Sequence, residues 1–201
     1  DLRTPLTRMR NKIEAMESKH NHEDFTLLLH DADHLLSTFT ALLRISRIET
    51  EKQRSHFETI CFSTILTDVG DFYAPLAEDK NITLHVDIAD DITITGDKDL
   101  LFQAFANLLD NAIKYTPAKG KITMGLECAD QRIQVIIEDN GPGVRDSDIE
   151  KIFQRFYRTE ESRSTHGTGL GLSLVKAIID LHNGQICAEN TDQGLRISVT
   201  I

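Results

Sequence analysis

The chain has 201 residues, 40% of them hydrophobic, so one or two domains with packed cores are expected. A formal charge of −10 argues against nucleic acid or an anionic membrane surface as a direct partner, since such contacts need a basic face. No apolar run approaches the ~20 residues that a membrane-spanning helix requires, and no signal peptide opens the chain. Cys61, Cys128 and Cys187 are scattered and odd in number, which disfavours a disulfide framework or a zinc site; they read as reduced residues of a core.

The first elements are helical. Leu2, Leu6, Met9, Ile13 and Met16 recur at alternating four- and three-residue steps, as do Phe25, Leu28, Ala32, Leu35, Phe39 and Leu42, and both series are heptad seams. The polar stretch from Ser18 to Asp24 joins them as an antiparallel hairpin. Leu29, Leu36 and Leu43 widen the second stripe beyond what two helices can bury, so two hairpins pairing into a four-helix dimer is the economical packing. The second helix, from about Asp24 to about Arg54, spans roughly 45 Å at about 1.5 Å per residue. The visible first helix covers little more than half of that, so part of it is expected to lie upstream. Thr4 as N-cap with Pro5 at the first helical position is the competing reading, and it would leave the far end of the second helix exposed. His30 and His34 share a helix face but lack an evident third metal ligand.

From residue 55 strands and helices alternate. Phe57–Phe62 reads as a strand, Ser63–Lys80 as a helix, and Ile82–Ile88 and Ile92–Thr95 as short strands. The helix that starts near Asp97 carries the most informative stretch, Asn107 to Pro117. Asn107, Asn111 and Lys114 fall on one stripe while Leu101, Phe105, Leu108 and Ala112 fall on the opposite one, so an apolar face seats the helix and a polar face looks outward. Amide oxygens suit a hard cation such as Mg2+ and an ammonium suits a phosphate, which together suggest a metal–nucleotide site. Read blandly, the same stripe is a solvated helix face.

Lys121–Glu127 and Ile133–Glu138 read as a hairpin, ending in Asp139-Asn140-Gly141-Pro142-Gly143. A carboxylate at a strand end, beside glycines that let backbone approach a planar ligand, can accept a purine amino proton. Residues 144–166 form a polar loop with Arg145, Arg155, Arg158 and Arg163, in which Ser147-Asp148-Ile149-Glu150 has the pattern of a capping box and Phe153 and Phe156 offer apolar anchors. Gly167-Thr168-Gly169-Leu170-Gly171 then opens an apolar helix running to about His182, so its unpaired amides and dipole would meet anions. Gln185–Glu189 and Leu195–Ile201 complete an α/β sandwich with one mixed sheet and helices on one face.

In this order the three segments resemble the ATP-binding domain of sensor histidine kinases, within the group shared with gyrase, a large heat-shock chaperone and a mismatch-repair ATPase. Residues 107–117 are similar to that family's N box, 139–143 and 167–172 to its two glycine boxes, and Ile152 to Arg158 to its F box. Asp1-Leu2-Arg3-Thr4-Pro5-Leu6 resembles the tail of its H box, whose phosphate-accepting histidine stands immediately before the acidic residue. Gln154, where an acidic residue is frequent, and His166, where glycine is frequent, depart from the pattern.

The resemblance implies an α+β fold. Its parts are a dimerisation and phosphotransfer hairpin at residues 1–54 and a Bergerat-type ATP-binding sandwich at 55–201 with a mobile lid at 144–166. It implies ATP and Mg2+ as ligands, with adenine near Asp139, the ring beside Tyr115, and Lys114 near the phosphates. Mg2+ would be held by Asn111 with help from Asn107, Gly141 and Gly143 would let backbone approach the planar ring of the nucleotide, and Gly167, Thr168, Gly169, Leu170, Gly171 and Arg155 would meet its phosphates. Asp1 would orient the acceptor imidazole, and Thr4 would position water for dephosphorylating a response regulator; without the resemblance both are ordinary helix-start residues. The implied partners are a second copy of the chain and a response-regulator receiver domain, with a cytoplasmic location and membrane attachment only through upstream segments. Two other readings compete. One is a nucleotide-gated dimerisation module without transfer, and the other an ATPase of the gyrase and mismatch-repair type, against which the hairpin and Arg3-Thr4-Pro5-Leu6 speak.

Overall fold

A computed structural model describes residues 11, 35, 36, 38–46, 48, 56–129, 132–159 and 168–201. The expected hairpin, with Asp1, Thr4, His30 and His34, lies largely outside the described residues, as do Gly167, His166 and the expected boundary near residue 55. Residues 38–46 are helical, and Ile45 from that helix is buried in the same apolar cluster as the elements that follow.

Those elements run β1 (Glu58–Cys61), α1 (Phe62–Asp79), β2 (Thr83–Ile88), β3 (Thr93–Gly96), α2 (Lys98–Tyr115), β4 (Lys121–Ala129), β5 (Arg132–Asp139), α3 (Gly171–Leu181), β6 (Gln185–Asn190) and β7 (Leu195–Thr200). The expected alternation is present with one correction to the sheet. Instead of one sheet there are two among the described residues, a five-stranded mixed sheet ordered β2-β4-β5-β7-β6 and a separate antiparallel ribbon of β1 and β3. Phe62 is helical rather than the end of a strand. Its N–H and that of Ser63 donate to the Ile92 carbonyl at 2.7 and 3.4 Å, which ties the start of α1 to the ribbon.

The core follows from amphipathic spacing. Leu101, Phe105, Leu108 and Ala112 of α2 are all buried, as are Leu66 and Val69 of α1, Val175 and Ile178 of α3, and Ile122, Met124, Val135 and Ile137 of the sheet. Phe62 and Phe105 meet edge to face at 5.4 Å between ring centroids, a packing that adds to the burial energy of the two rings. The three cysteines are free and exposed, which corrects the expectation that they sit in the core. Cys187 lies on an outward strand position, where period-2 alternation puts every second residue in solvent.

Both ends of α2 are closed. Asp97 caps the N-terminus by accepting the Leu100 N–H at 3.0 Å, and the Lys80 ammonium donates to the carbonyls of Ile113 and Lys114 at 2.7 and 3.1 Å. His182, a residue without any pattern in the sequence, proves to be a buried strut at 6% exposure. Its Nε2 accepts the Asp97 N–H at 3.0 Å, its Nδ1 bonds the Ile178 carbonyl at 2.7 Å, and its ring stacks on Phe57. Gly96 makes room for it, since a Cβ there would stand 2.8 Å from the imidazole. His182→Ala is therefore expected to destabilise the chain by about 2 to 4 kcal/mol through an unpaired amide and a cavity. Urea unfolding measures this; a midpoint unchanged from wild type would contradict the strut.

Candidate functional site

The polar stripe of α2 forms one wall of a cavity of about 500 Å3, within the size range of small-molecule sites. Asn107, Asn111, Lys114 and Tyr115 line it from α2, Asp139, Pro142 and Gly143 from the end of β5, and Thr168, Gly169, Gly171 and Leu172 from the start of α3. Sequence patterning on separate segments thus converges in space. Ile137, Leu195 and Ile197 supply an apolar bed, and these sequence reasoning missed although strand alternation already marked them as inward-facing. Gly141 is buried behind the lining, as is Leu170, whose N–H donates to Thr168 Oγ1 at 3.3 Å.

On the α2 side, the Asn107 amide nitrogen donates to the Gln103 carbonyl of its own helix at 2.9 Å, which turns its oxygen away from the helix backbone. A Cβ added at Gly171 would stand 3.6 Å from Asn107 Oδ1 and 3.8 Å from Asn111 Nδ2. The two carboxamides therefore face the start of α3 directly. Lys114 Nζ lies 5.4 Å from the centroid of the Tyr115 ring, so cation and aromatic face sit together at the cavity mouth.

Opposite them Asp139 is folded into its own loop. Gly141 N–H donates to Asp139 Oδ1 at 2.8 Å, and a Cβ at Gly141 would meet that oxygen at 2.8 Å and the Tyr115 carbonyl at 3.0 Å. Burial pushes the Asp139 carboxyl up from the ordinary aspartate value, against hydrogen bonds from the Gly141 and Leu195 backbone that pull it down. A carboxylate has about four acceptor positions, so these bonds leave capacity for a ligand amino group.

The third wall comes from the arginine-rich segment. Arg145, Ile152, Tyr157, Arg158 and Thr159 line the cavity, whereas Arg155, the arginine singled out by resemblance, is exposed and outside the lining. Two sequence expectations are corrected here. Ser147 does not form a capping box: its hydroxyl donates to Asp148 Oδ1 at 3.2 Å, and residues Asp146–Asp148 make a single 3-10 turn without a side-chain cap. Phe156 does not anchor the segment with its ring, which is exposed; buried Ile152 does. Phe156 instead contributes its backbone at φ 63, its N–H donating to the Gly169 carbonyl at 3.0 Å. Gly169 itself has φ +71, and a Cβ there would meet the Phe156 backbone at 2.9 Å, so glycine is required twice over. A hydrogen bond from Tyr157 holds the Asp148 carboxyl below its usual range, linking the two turns of the segment.

A five-stranded mixed sheet under three helices, with amides, a lysine and two glycine segments around one cavity, defines an ATP-binding sandwich, and comparison with known proteins agrees. Residues 96–201 match the family described as Histidine kinase-, DNA gyrase B-, and HSP90-like ATPase. The chain belongs to that family, on its histidine-kinase side. It is 36% identical over 208 residues to the adaptive-response sensory kinase SasA of Rippkaea orientalis, spanning 96% of this chain and 53% of SasA. With the signal transduction histidine-protein kinase BaeS of Escherichia coli it shares 31% identity over 206 residues, 100% of this chain and 44% of BaeS. The chain thus spans about half the length of these curated relatives. The catalytic domain of histidine kinase ThkA superposes with a TM-score of 0.66 at 30% identity, over 72% of this chain and 94% of that domain. Full-length ShkA in complex with AMPPNP superposes with a TM-score of 0.81 at 25% identity, over 99% and 43% respectively.

The residues fit a nucleotide with its metal: an oxygen of Asn107 and an amide of Asn111 face the gap before Gly171, and hard cations take such oxygens together with phosphates and water. The raised titration of Asp139 has a consequence for binding. A ligand amino group donating to Asp139 would be bound better by the ionised carboxylate, so its contribution to affinity is expected to fall as pH drops through a value above the ordinary aspartate pKa of about 3.9. Titration of an ATP analogue at a series of pH values is expected to show that loss in the wild type and not in Asp139→Asn, which has no proton to gain there. Coincident pH profiles would remove Asp139 from ligand recognition.

Proposed function

We propose that the chain binds ATP with Mg2+ in this cavity and is the catalytic part of a sensor histidine kinase, which phosphorylates a histidine immediately preceding Asp1 and hands the phosphoryl group to an aspartate of a response regulator. The observation that carries the reading is the meeting of Asn107 and Asn111 with the glycine segment at Gly171, across the cavity from Asp139. In this arrangement Asp139 accepts the purine amino proton, Ile137 and Ile197 bed the ring, and Tyr115 covers its edge. Lys114, Arg145, Arg158 and the amides before α3 meet the phosphates. Asn111 and Asn107 would hold Mg2+, which would supply charge neutralisation to the phosphates at the transferring group.

Transfer follows from positioning. The acceptor imidazole nitrogen forms a P–N bond with the γ-phosphorus as the bond to the bridging oxygen breaks and ADP leaves. Asp1 takes a hydrogen bond from the other ring nitrogen and favours the reactive tautomer. Thr4, one helical turn on, orients water for the reverse task of dephosphorylating the regulator. The hairpin at residues 1–54 supplies the dimer and the surface on which the regulator's receiver domain docks, and any membrane attachment belongs to upstream segments of a longer protein.

Two experiments test this. Asn111→Ala leaves the buried stripe of α2 untouched, so calorimetry with an ATP analogue is expected to show an affinity loss of about tenfold or more in Mg2+, equivalent to about 1.4 kcal/mol, at an unchanged unfolding midpoint. Full affinity in that variant would sink the metal assignment. A chain extended upstream through the histidine is expected to take label from ATP in acid-labile form, while the 201-residue chain binds ATP without labelling itself. Acid-labile phosphate on the shorter chain would overturn the placing of the acceptor.

A further inference from the structure

Asn190, the last residue of β6, belongs to none of the motifs above, yet its carboxamide reaches the arginine-rich segment 46 positions away in sequence. Its Oδ1 accepts the Val144 N–H at 3.0 Å, and its Nδ2 donates to the Val144 carbonyl at 2.5 Å and to Asp146 Oδ1 at 2.9 Å. One side chain thereby gives Val144 both of the bonds that a neighbouring strand would otherwise supply. Gly143 is shaped around it: its φ is +68, and a Cβ there would stand 2.8 Å from Asn190 Oδ1.

The base of this contact is braced. Thr191 N–H donates to the Gly194 carbonyl at 2.8 Å, and Thr191 Oγ1 accepts from Gly194 N–H at 3.1 Å. Gly194 presses against the Asp139 carbonyl so closely that no Cβ fits between them. The turn that carries Asn190 therefore rests on the backbone of the purine-side carboxylate, while the carboxamide holds the next wall of the cavity. Val144 and Arg145 both line that wall, and Asn190 does not.

We propose that Asn190 is a positioning residue for the nucleotide: by fixing the Val144 backbone to β6 it sets where Val144 and Arg145 meet the bound ligand. The inference rests on the ATP-site reading above. Asn190 is exposed, so its removal costs the resting fold little and acts on retention of the ligand. Asn190→Asp is the sharper variant, since it keeps an acceptor for the Val144 N–H, loses the donor to the Val144 carbonyl, and sets a carboxylate against Asp146.

The test is stopped-flow dissociation of a fluorescent ATP analogue in Mg2+ from the 201-residue chain, beside thermal unfolding without nucleotide. In Asn190→Ala the dissociation rate is expected to rise about tenfold, because Val144 and Arg145 are no longer held where they meet the ligand, with an increase at least as large in Asn190→Asp. The nucleotide-free unfolding midpoint is expected to stay near that of the wild type in both. Unchanged dissociation in both variants overturns the inference while leaving the ATP site standing, and so does faster dissociation accompanied by a matching loss of nucleotide-free stability, which marks a merely structural turn. A wild-type chain that does not retain the analogue overturns the ATP-site reading and this inference together.

Discussion

At the C-terminal end of α2 the Lys80 ammonium sits among the carbonyls of Ile113, Lys114 and Thr116, at 2.7, 3.1 and 3.5 Å. The last carbonyls of a helix have no partner within it and carry the negative end of its dipole, so a cation there both satisfies and neutralises them. This is also the turn that presents Lys114 and Tyr115 to the cavity. At the other end Asp97 caps α2 and is itself held through its N–H by buried His182. With Leu101, Phe105, Leu108 and Ala112 buried along one side, the helix cannot rotate without exposing core or breaking a cap. The outward direction of Asn107 and Asn111 is thus set by forces that do not involve any ligand, as precise polar sites require.

The other walls are brought to α2 by close backbone approaches at glycine. Gly141 lies against the Tyr115 carbonyl, Gly194 against the Asp139 carbonyl, and Gly169 against the Phe156 backbone. Each contact leaves no room for a Cβ, so loops with little secondary structure of their own are held against rigid elements at fixed distances. The glycine segments therefore matter in two ways, exposing amides to a ligand and acting as contact points between the walls.

What could be read from the sequence was what depends on local periodicity. The two stripes of α2 are separated by helical spacing alone, and the strands at Thr83–Ile88, Arg132–Asp139 and Leu195–Thr200 lie within a residue or so of where apolar alternation put them. The failures share a different cause. Ser147 has the spacing of a capping box, but its hydroxyl bonds the neighbouring carboxylate instead. Phe156 looks like an anchor by composition, while the contact with Gly169 consumes its backbone and leaves its ring in water. His182, Lys80 and Asn190 act through partners 85, 33 and 46 residues distant, and no local pattern marks such pairs. Family position favours Arg155 over Arg145 and Arg158; in the described stretch 144–159 Arg145 and Arg158 line the cavity and Arg155 does not.

Among the described residues the N-termini of α1, α2 and α3 differ in what they leave open to an anion. In α1 the first amides are taken by the Ile92 carbonyl, and in α2 one is taken by the Asp97 carboxylate, with Asp99 in the first turn as a second negative charge. Both ends are closed to an incoming anion. Among the described residues α3 has no side-chain cap and no acidic residue in its first turn, and its first residue, Gly171, opens onto Asn107 and Asn111. A helix of 11 residues presents donors and the positive end of its dipole there. In a chain of net charge −10 the long-range field repels a nucleotide polyphosphate, so attraction has to be short-range. Lys114, Arg145 and Arg158 line the same cavity that the uncapped start of α3 opens into, whereas a backbone carbonyl closes the start of α1 and a carboxylate that of α2.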